Sequence, residues 1–107
     1  MHVTTEEMIV RAGAALAAAA PPRSRVILFG SHARGQAGVD SDLDFLVIEP
    51  DVERTAAESV RLRRVLREIP AAIDVVVVSE ELAERRARVP GTMVDRALRE
   101  GRVVAES

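Results

Sequence analysis

The stretch "GSHARGQAGVDSDLDFLV", Gly30 to Val47, leaves one apolar run and enters another. The run before it, RVILFG (residues 25–30), is short and β-branched and ends in Gly, which predicts a buried strand. The run after it, DLDFLVIEP (residues 42–50), predicts a second strand that Pro50 ends. Between them Ser31 opens a short helical turn that breaks at Gly35 and Gly38. Asp40, Asp42 and Asp44 follow at intervals of two. On a strand, Asp42 and Asp44 leave the same face within about 7 Å of one another.

Outward from this stretch the chain alternates helix and strand. Thr4 or Thr5 with Glu6 and Glu7 predicts an N-cap and an acidic first turn, with a helix running to about Ala20 before Pro21-Pro22. Residues 52–68 carry Val60, Leu62, Val65, Leu66 and Ile69 among five arginines, a helix with one buried stripe and a solvated basic face. AIDVVVVS (residues 72–79) is a third strand whose continuous apolar run implies burial on both faces. EELAERRARVP predicts a polar helix stopped by Pro90, and Thr92 to about Glu100 a last one stopped by Gly101. Its stripe of Met93, Val94, Ala97 and Leu98 serves equally as core or as interface, and Val103-Val104 suits an edge strand. No repeat or linker divides residues 1–107, so the expectation is one α/β (α+β) domain, a mixed three- to four-stranded sheet packed with helices.

Composition narrows the classes of partner. A net charge of −2 over 107 residues gives no electrostatic footprint for long nucleic acid. The absence of Cys removes disulfide frameworks and thiolate metal sites and fits a cytoplasmic setting. The Ala-rich segment of residues 9–22 follows two acids, contains Arg11 and is too short to span a bilayer, so neither a secretory signal nor a membrane association is expected. Phe29 and Phe45 are the only aromatic rings besides the two His, so no Tyr or Trp can stack on a base.

Three carboxylates carry the chemistry. Asp42 and Asp44 on one face of an apolar strand are costly unless a cation lies between them. Mg²⁺ suits such a pair, because it takes one or two carboxylates and completes its shell with water and substrate phosphates. Asp74, the only charge inside the third strand, joins them if the second and third strands are neighbours. The competing reading pairs Asp74 with an arginine. Gly30-Ser31, where a strand turns into a helical turn, directs N–H groups and the positive end of a helix dipole at an anion. Ser31 adds a hydroxyl and Arg34, one turn on, a guanidinium fork. A calcium loop built on Asp40, Asp42 and Asp44 fails, because Phe45 stands where that loop needs Gly and Asp51 where it needs Glu. Asp40 is then a turn residue, and His32 a surface residue of the turn rather than a base.

With these residues in place, the chain resembles the DNA polymerase β-like nucleotidyltransferase superfamily, and within it the minimal nucleotidyltransferases of antitoxin type. Gly30-Ser31 matches the family's Gly-Ser, Arg34-Gly35 its Arg-Gly, Asp42 and Asp44 its paired aspartates after a ten-residue gap, and Asp74 its third carboxylate. The resemblance implies NMP transfer, AMP from ATP foremost, to an acceptor hydroxyl. It implies two Mg²⁺ ions on Asp42, Asp44 and Asp74, with Asp74 also taking the acceptor's proton, and the β- and γ-phosphates on Gly30, Ser31 and Arg34. It also implies a protein acceptor such as a HEPN-domain toxin, since no residues remain for an acceptor domain. Two alternatives stand beside it: a non-catalytic antitoxin or complex subunit acting by binding, and the nucleotide-binding half of a transferase that modifies small molecules.

Overall fold

Local signals at the chain's start act as the sequence predicts. The computed structural model describes residues 4–38 and 41–107. Thr4 Oγ1 accepts from the Glu7 N–H at 3.1 Å and caps α1 (Thr5–Ala19), which ends ahead of Pro21. Its buried face is Ile9, Ala12, Gly13 and Leu16, the three-four spacing of one helical stripe.

The other elements follow as β1 (Arg25–Phe29), β2 (Leu43–Glu49), α2 (Thr55–Arg64), β3 (Ile73–Ser79), α3 (Glu80–Ala87), α4 (Met93–Glu100) and β4 (Arg102–Glu106). The four strands form one mixed sheet in the order β3-β2-β1-β4. β2 and β3 run parallel, and β1 is antiparallel to both β2 and β4. The C-terminal apolar tail is thus an edge strand.

Alternation along the strands divides the core into two layers. Val26, Leu28, Phe45, Val47, Val75 and Val77 meet Ile9 and Leu16 of α1 and Leu62 of α2. On the other face Ile27, Leu46, Ile48 and Val78 meet Ala83 of α3 and Val94 and Ala97 of α4. The expected burial of β3 on both faces holds for Val75, Val77 and Val78, while Val76 is half-buried. Phe45 is fully buried as the largest such side chain, and truncation to Ala would cost about 3–5 kcal/mol.

Two expectations need correction. The helix expected over 52–68 spans only 55–64, because Arg54 supplies no side-chain cap and the chain tightens after Arg64 into turns closed by Leu66 N–H to Arg63 O (3.1 Å) and Ile69 N–H to Leu66 O (3.0 Å). Its buried stripe is Leu62 and Leu66 with Ile69 partly covered, whereas Val60 and Val65 are exposed. In α4, Val94 and Ala97 belong to the core, Met93 packs against it, and Leu98 is exposed.

Candidate active site

β1 ends where β2 begins, and the register places Phe29 opposite Asp44. On the other side of β2, Asp44 is opposite Asp74 of β3. Asp42 precedes β2 by one residue and shares the face of Asp44 by alternation. The adjacency of the second and third strands therefore brings Asp74 beside the pair. Burial alongside Asp44 and repulsion from Asp74 and Asp42 together raise the Asp44 carboxyl above its ordinary value, against the opposing influence of His32 and Arg34.

Asp74 differs from expectation in one respect. It is exposed, as is Asp42, and only Asp44 is half-buried. The helical layer on this face covers Ile27, Leu46, Ile48 and Val78, farther along the strands, and leaves the first residues of β3 open. The competing reading, Asp74 paired with an arginine, finds no such ion pair among the described residues.

Gly30 holds this corner together. Its φ of +78° lies in the left-handed region, and a Cβ there would collide with Oδ2 of Asp44. The chain then turns through Ser31–Gly35, with Arg34 N–H donating to Gly30 O at 3.2 Å and Gln36 N–H to Ser31 O at 2.9 Å. This is a hydrogen-bonded turn and not a helix, so the expected helix-dipole contribution is absent. The N–H groups of Ser31, His32 and Ala33 precede the first of those bonds.

His32, expected on the surface, is half-buried and its Nε2 meets Ser41 O at 3.1 Å. Ser41 Oγ in turn accepts from Gly38 N–H at 2.9 Å. His32 thereby ties the turn to the residue just before Asp42. Asp40 lies outside the described residues.

Arg34 is turned toward α4. Its Nε donates to Gln36 Oε1 at 3.1 Å and its Nη1 lies 3.5 Å from Glu100 Oε2. A recess of about 120 Å³ sits here, lined by Phe29, Gly30, Arg34, Met93, Arg96 and Glu100. Arg96 and Glu100 gave no signal in the sequence, which fixes the buried side of α4 but not what its flank meets. Larger cavities of about 490 and 460 Å³ lie on the α1–α2 face. The first, walled by Arg63, Arg64 and Arg67, is on the opposite side of the sheet from the carboxylates.

The donor set fits a hard divalent cation: carboxylate oxygens on adjacent strands, open to solvent and to a ligand's phosphates. Among the described residues no three acidic or imidazole side chains close into a cage of their own. Mg²⁺ needs only one or two of them.

A glycine-serine turn beside a row of carboxylates, at one end of a small mixed sheet, equips a domain to handle a polyphosphate with its cation. The chain belongs to the nucleotidyltransferase domain family, whose profile matches residues 15–104. Its fold is similar to that of a protein in a crystal structure described as a toxin-antitoxin with AMP-PNP, at a TM-score of 0.63 and 19% identity over 97% of this chain and 75% of that one. No curated protein sequence matches. No helix among the described residues is long and apolar enough to cross a membrane.

Proposed function

We propose that this protein is a Mg²⁺-dependent nucleotidyltransferase that moves AMP from ATP to a hydroxyl of a protein acceptor, with an antitoxin role toward a HEPN-type toxin in the cytoplasm. The observation that carries the reading is the Asp44–Asp74 register pair, joined by Asp42 and backed by a glycine with no room for a side chain. Membership of the nucleotidyltransferase domain family supports the reaction class. The fold shared with a protein of a toxin-antitoxin structure containing AMP-PNP supports the choice of nucleotide and of partner.

In this reading Asp42, Asp44 and Asp74 would hold two Mg²⁺ ions. The ions, when bound, neutralise the triphosphate and the charge that develops on it during transfer. Gly30, Ser31 and Arg34 hold the β- and γ-phosphates and so align the leaving group. The acceptor oxygen forms a bond to the α-phosphorus as the bond from that phosphorus to the bridging oxygen breaks. Pyrophosphate departs with the electron pair, and Asp74 takes the hydroxyl proton. The exposure of Asp74 suits this role, since an acceptor on another chain must reach it.

A second reading, an antitoxin that acts by binding alone, is favoured by Arg34 already being paired with Glu100 and by the lack of a closed carboxylate cage among the described residues. One experiment separates the two. The protein is incubated with α-labelled ATP, Mg²⁺ and a co-expressed toxin encoded beside it, and the toxin is analysed for label and adduct mass. Catalysis predicts an AMP adduct that Asp74→Ala abolishes. Neutralisation by Asp74→Ala equal to that by the unaltered protein, with no label transferred, overturns the catalytic reading.

A further inference from the structure

The recess beside Gly30 brings two guanidiniums and a carboxylate to the border of the candidate site. Arg34 comes from the turn, and Arg96 and Glu100 come from one face of α4, four residues apart. Gly101 seats the end of that helix against β1, where a Cβ would strike the Leu28 carbonyl. Gly30 forms one wall of the recess and lies directly against the Asp44 carboxylate. The recess and the carboxylate row are therefore neighbours across a single residue.

Within this recess Glu100 is the carboxylate that meets Arg34. Its Oε2 makes one contact with Arg34 Nη1, at 3.5 Å, and the two side chains are 36% and 40% exposed. The bidentate pairs elsewhere in the molecule are tighter, at 2.7 and 2.8 Å for Arg61 with Glu58 and 3.1 and 3.0 Å for Arg99 with Asp95. Arg34's remaining engagement is with the neutral amide of Gln36. Arg96 forms no ion pair among the described residues. Among the described residues, the recess thus holds one weakly engaged guanidinium and one without an ion pair, together with a carboxylate that a phosphate can displace. A phosphate brings more charge and more acceptor oxygens than the carboxylate it replaces.

We propose that Glu100 is an internal competitor for the phosphate-binding Arg34, released when a nucleoside triphosphate enters, and that Arg96 is a second guanidinium that receives the incoming phosphates. This inference rests on the functional reading above and adds to it a device that sets nucleotide affinity. An exposed single-contact ion pair is weak, so the competition is modest and reversible.

Calorimetric titration with Mg·ATP tests it in the full chain. Glu100→Gln should bind about three- to fivefold more tightly, and Arg96→Gln about fivefold more weakly. In an Arg34→Gln background the gain from Glu100→Gln should vanish, because the competition needs both partners. Glu106→Gln removes the same charge at the far end of the sheet, opposite Arg25, and should change nothing. Thermal melts of each variant confirm that the fold is retained. A Glu100→Gln gain that is absent, that persists without Arg34 or that Glu106→Gln equals overturns the inference while leaving nucleotide binding intact. Failure of the unaltered protein to bind Mg·ATP overturns the functional reading itself, and this inference with it.

Discussion

Glu49 should make the stability of this protein fall as pH rises through neutrality. It is 1% exposed, at the end of β2, and its Oε2 has no hydrogen-bond partner. The groups facing it are Glu58 and Arg61 of α2, and Arg61 chelates Glu58 at 2.7 and 2.8 Å while also donating to Ala19 O at 2.9 Å. Burial, then the hydrogen bond and repulsion from Glu58, push the Glu49 carboxyl up to about 8. The hydrogen bonds from Arg61 and Glu49 hold Glu58 down at about 2. Folding therefore favours the protonated form of Glu49. A carboxyl raised by folding contributes stability that is complete below its unfolded value of 4.5 and is lost as pH climbs to about 8. The limiting slope is about 1.4 kcal/mol per pH unit. Over two pH units between those values the loss is on the order of 1–3 kcal/mol, or roughly 5–20 °C in Tm for a domain of this size. Glu49→Gln supplies a permanent donor to Glu58 and should flatten the dependence. Thermal melts at pH 5.5, 7.0 and 8.5 measure both proteins. A Tm of the unaltered protein that is level across this range, or a Glu49→Gln protein that falls just as steeply, refutes the reasoning.

Three shorter predictions concern the corner at Gly30 and the turn before α4. Gly30→Ala should cost about 1–3 kcal/mol by chemical denaturation and abolish Mg·ATP binding, because it combines a left-handed φ with a collision against Asp44, whereas Gly35→Ala, with φ +71° but open space around it, should lose about 1 kcal/mol and keep binding. Asp44→Asn should raise Tm at pH 7 by about 2–5 °C while removing Mg²⁺-dependent ATP affinity, since burial and the facing Asp74 and Asp42 raise this carboxyl; the gain should vanish below pH 3.8, where the unfolded carboxyl is protonated as well. The hydrogen bonds from Arg99 and from Gly91 N–H hold Asp95 below its ordinary range, so its contribution is present above pH 3.8 and lost as pH falls; melts of Asp95→Asn should show a lower Tm at pH 7 and a gentler acid decline.

The legible parts of this molecule are those set by neighbours in sequence. Thr4, Ser79 and Thr92 each cap a helix with a side-chain oxygen, and Pro21 and Pro50 follow an element's end, so boundaries came within a few residues of the expected ones. The helix through residues 52–68 misled because apolar spacing alone cannot distinguish a continued helix from turns whose i to i+3 bonds keep a similar face buried. Glu49 did carry a signal: it lies two residues beyond Val47 and four beyond Phe45, so alternation aims it into the core. The recess was not legible, because Arg34 and Glu100 are 66 residues apart and meet only once α4 lies against β1.

The exposure of Asp42 and Asp74 bears on how the fold carries its charges. Three carboxylates facing one another deep in an apolar core would have to take up protons or a permanent counter-charge. Here the α3–α4 layer covers Ile27, Leu46, Ile48 and Val78 and stops short of the strand ends, so water reaches Asp42 and Asp74, while burial and the two neighbouring carboxylates raise the Asp44 carboxyl above its ordinary value. For a transferase acting on another protein, the uncovered strand ends would leave Asp74 within reach of the acceptor.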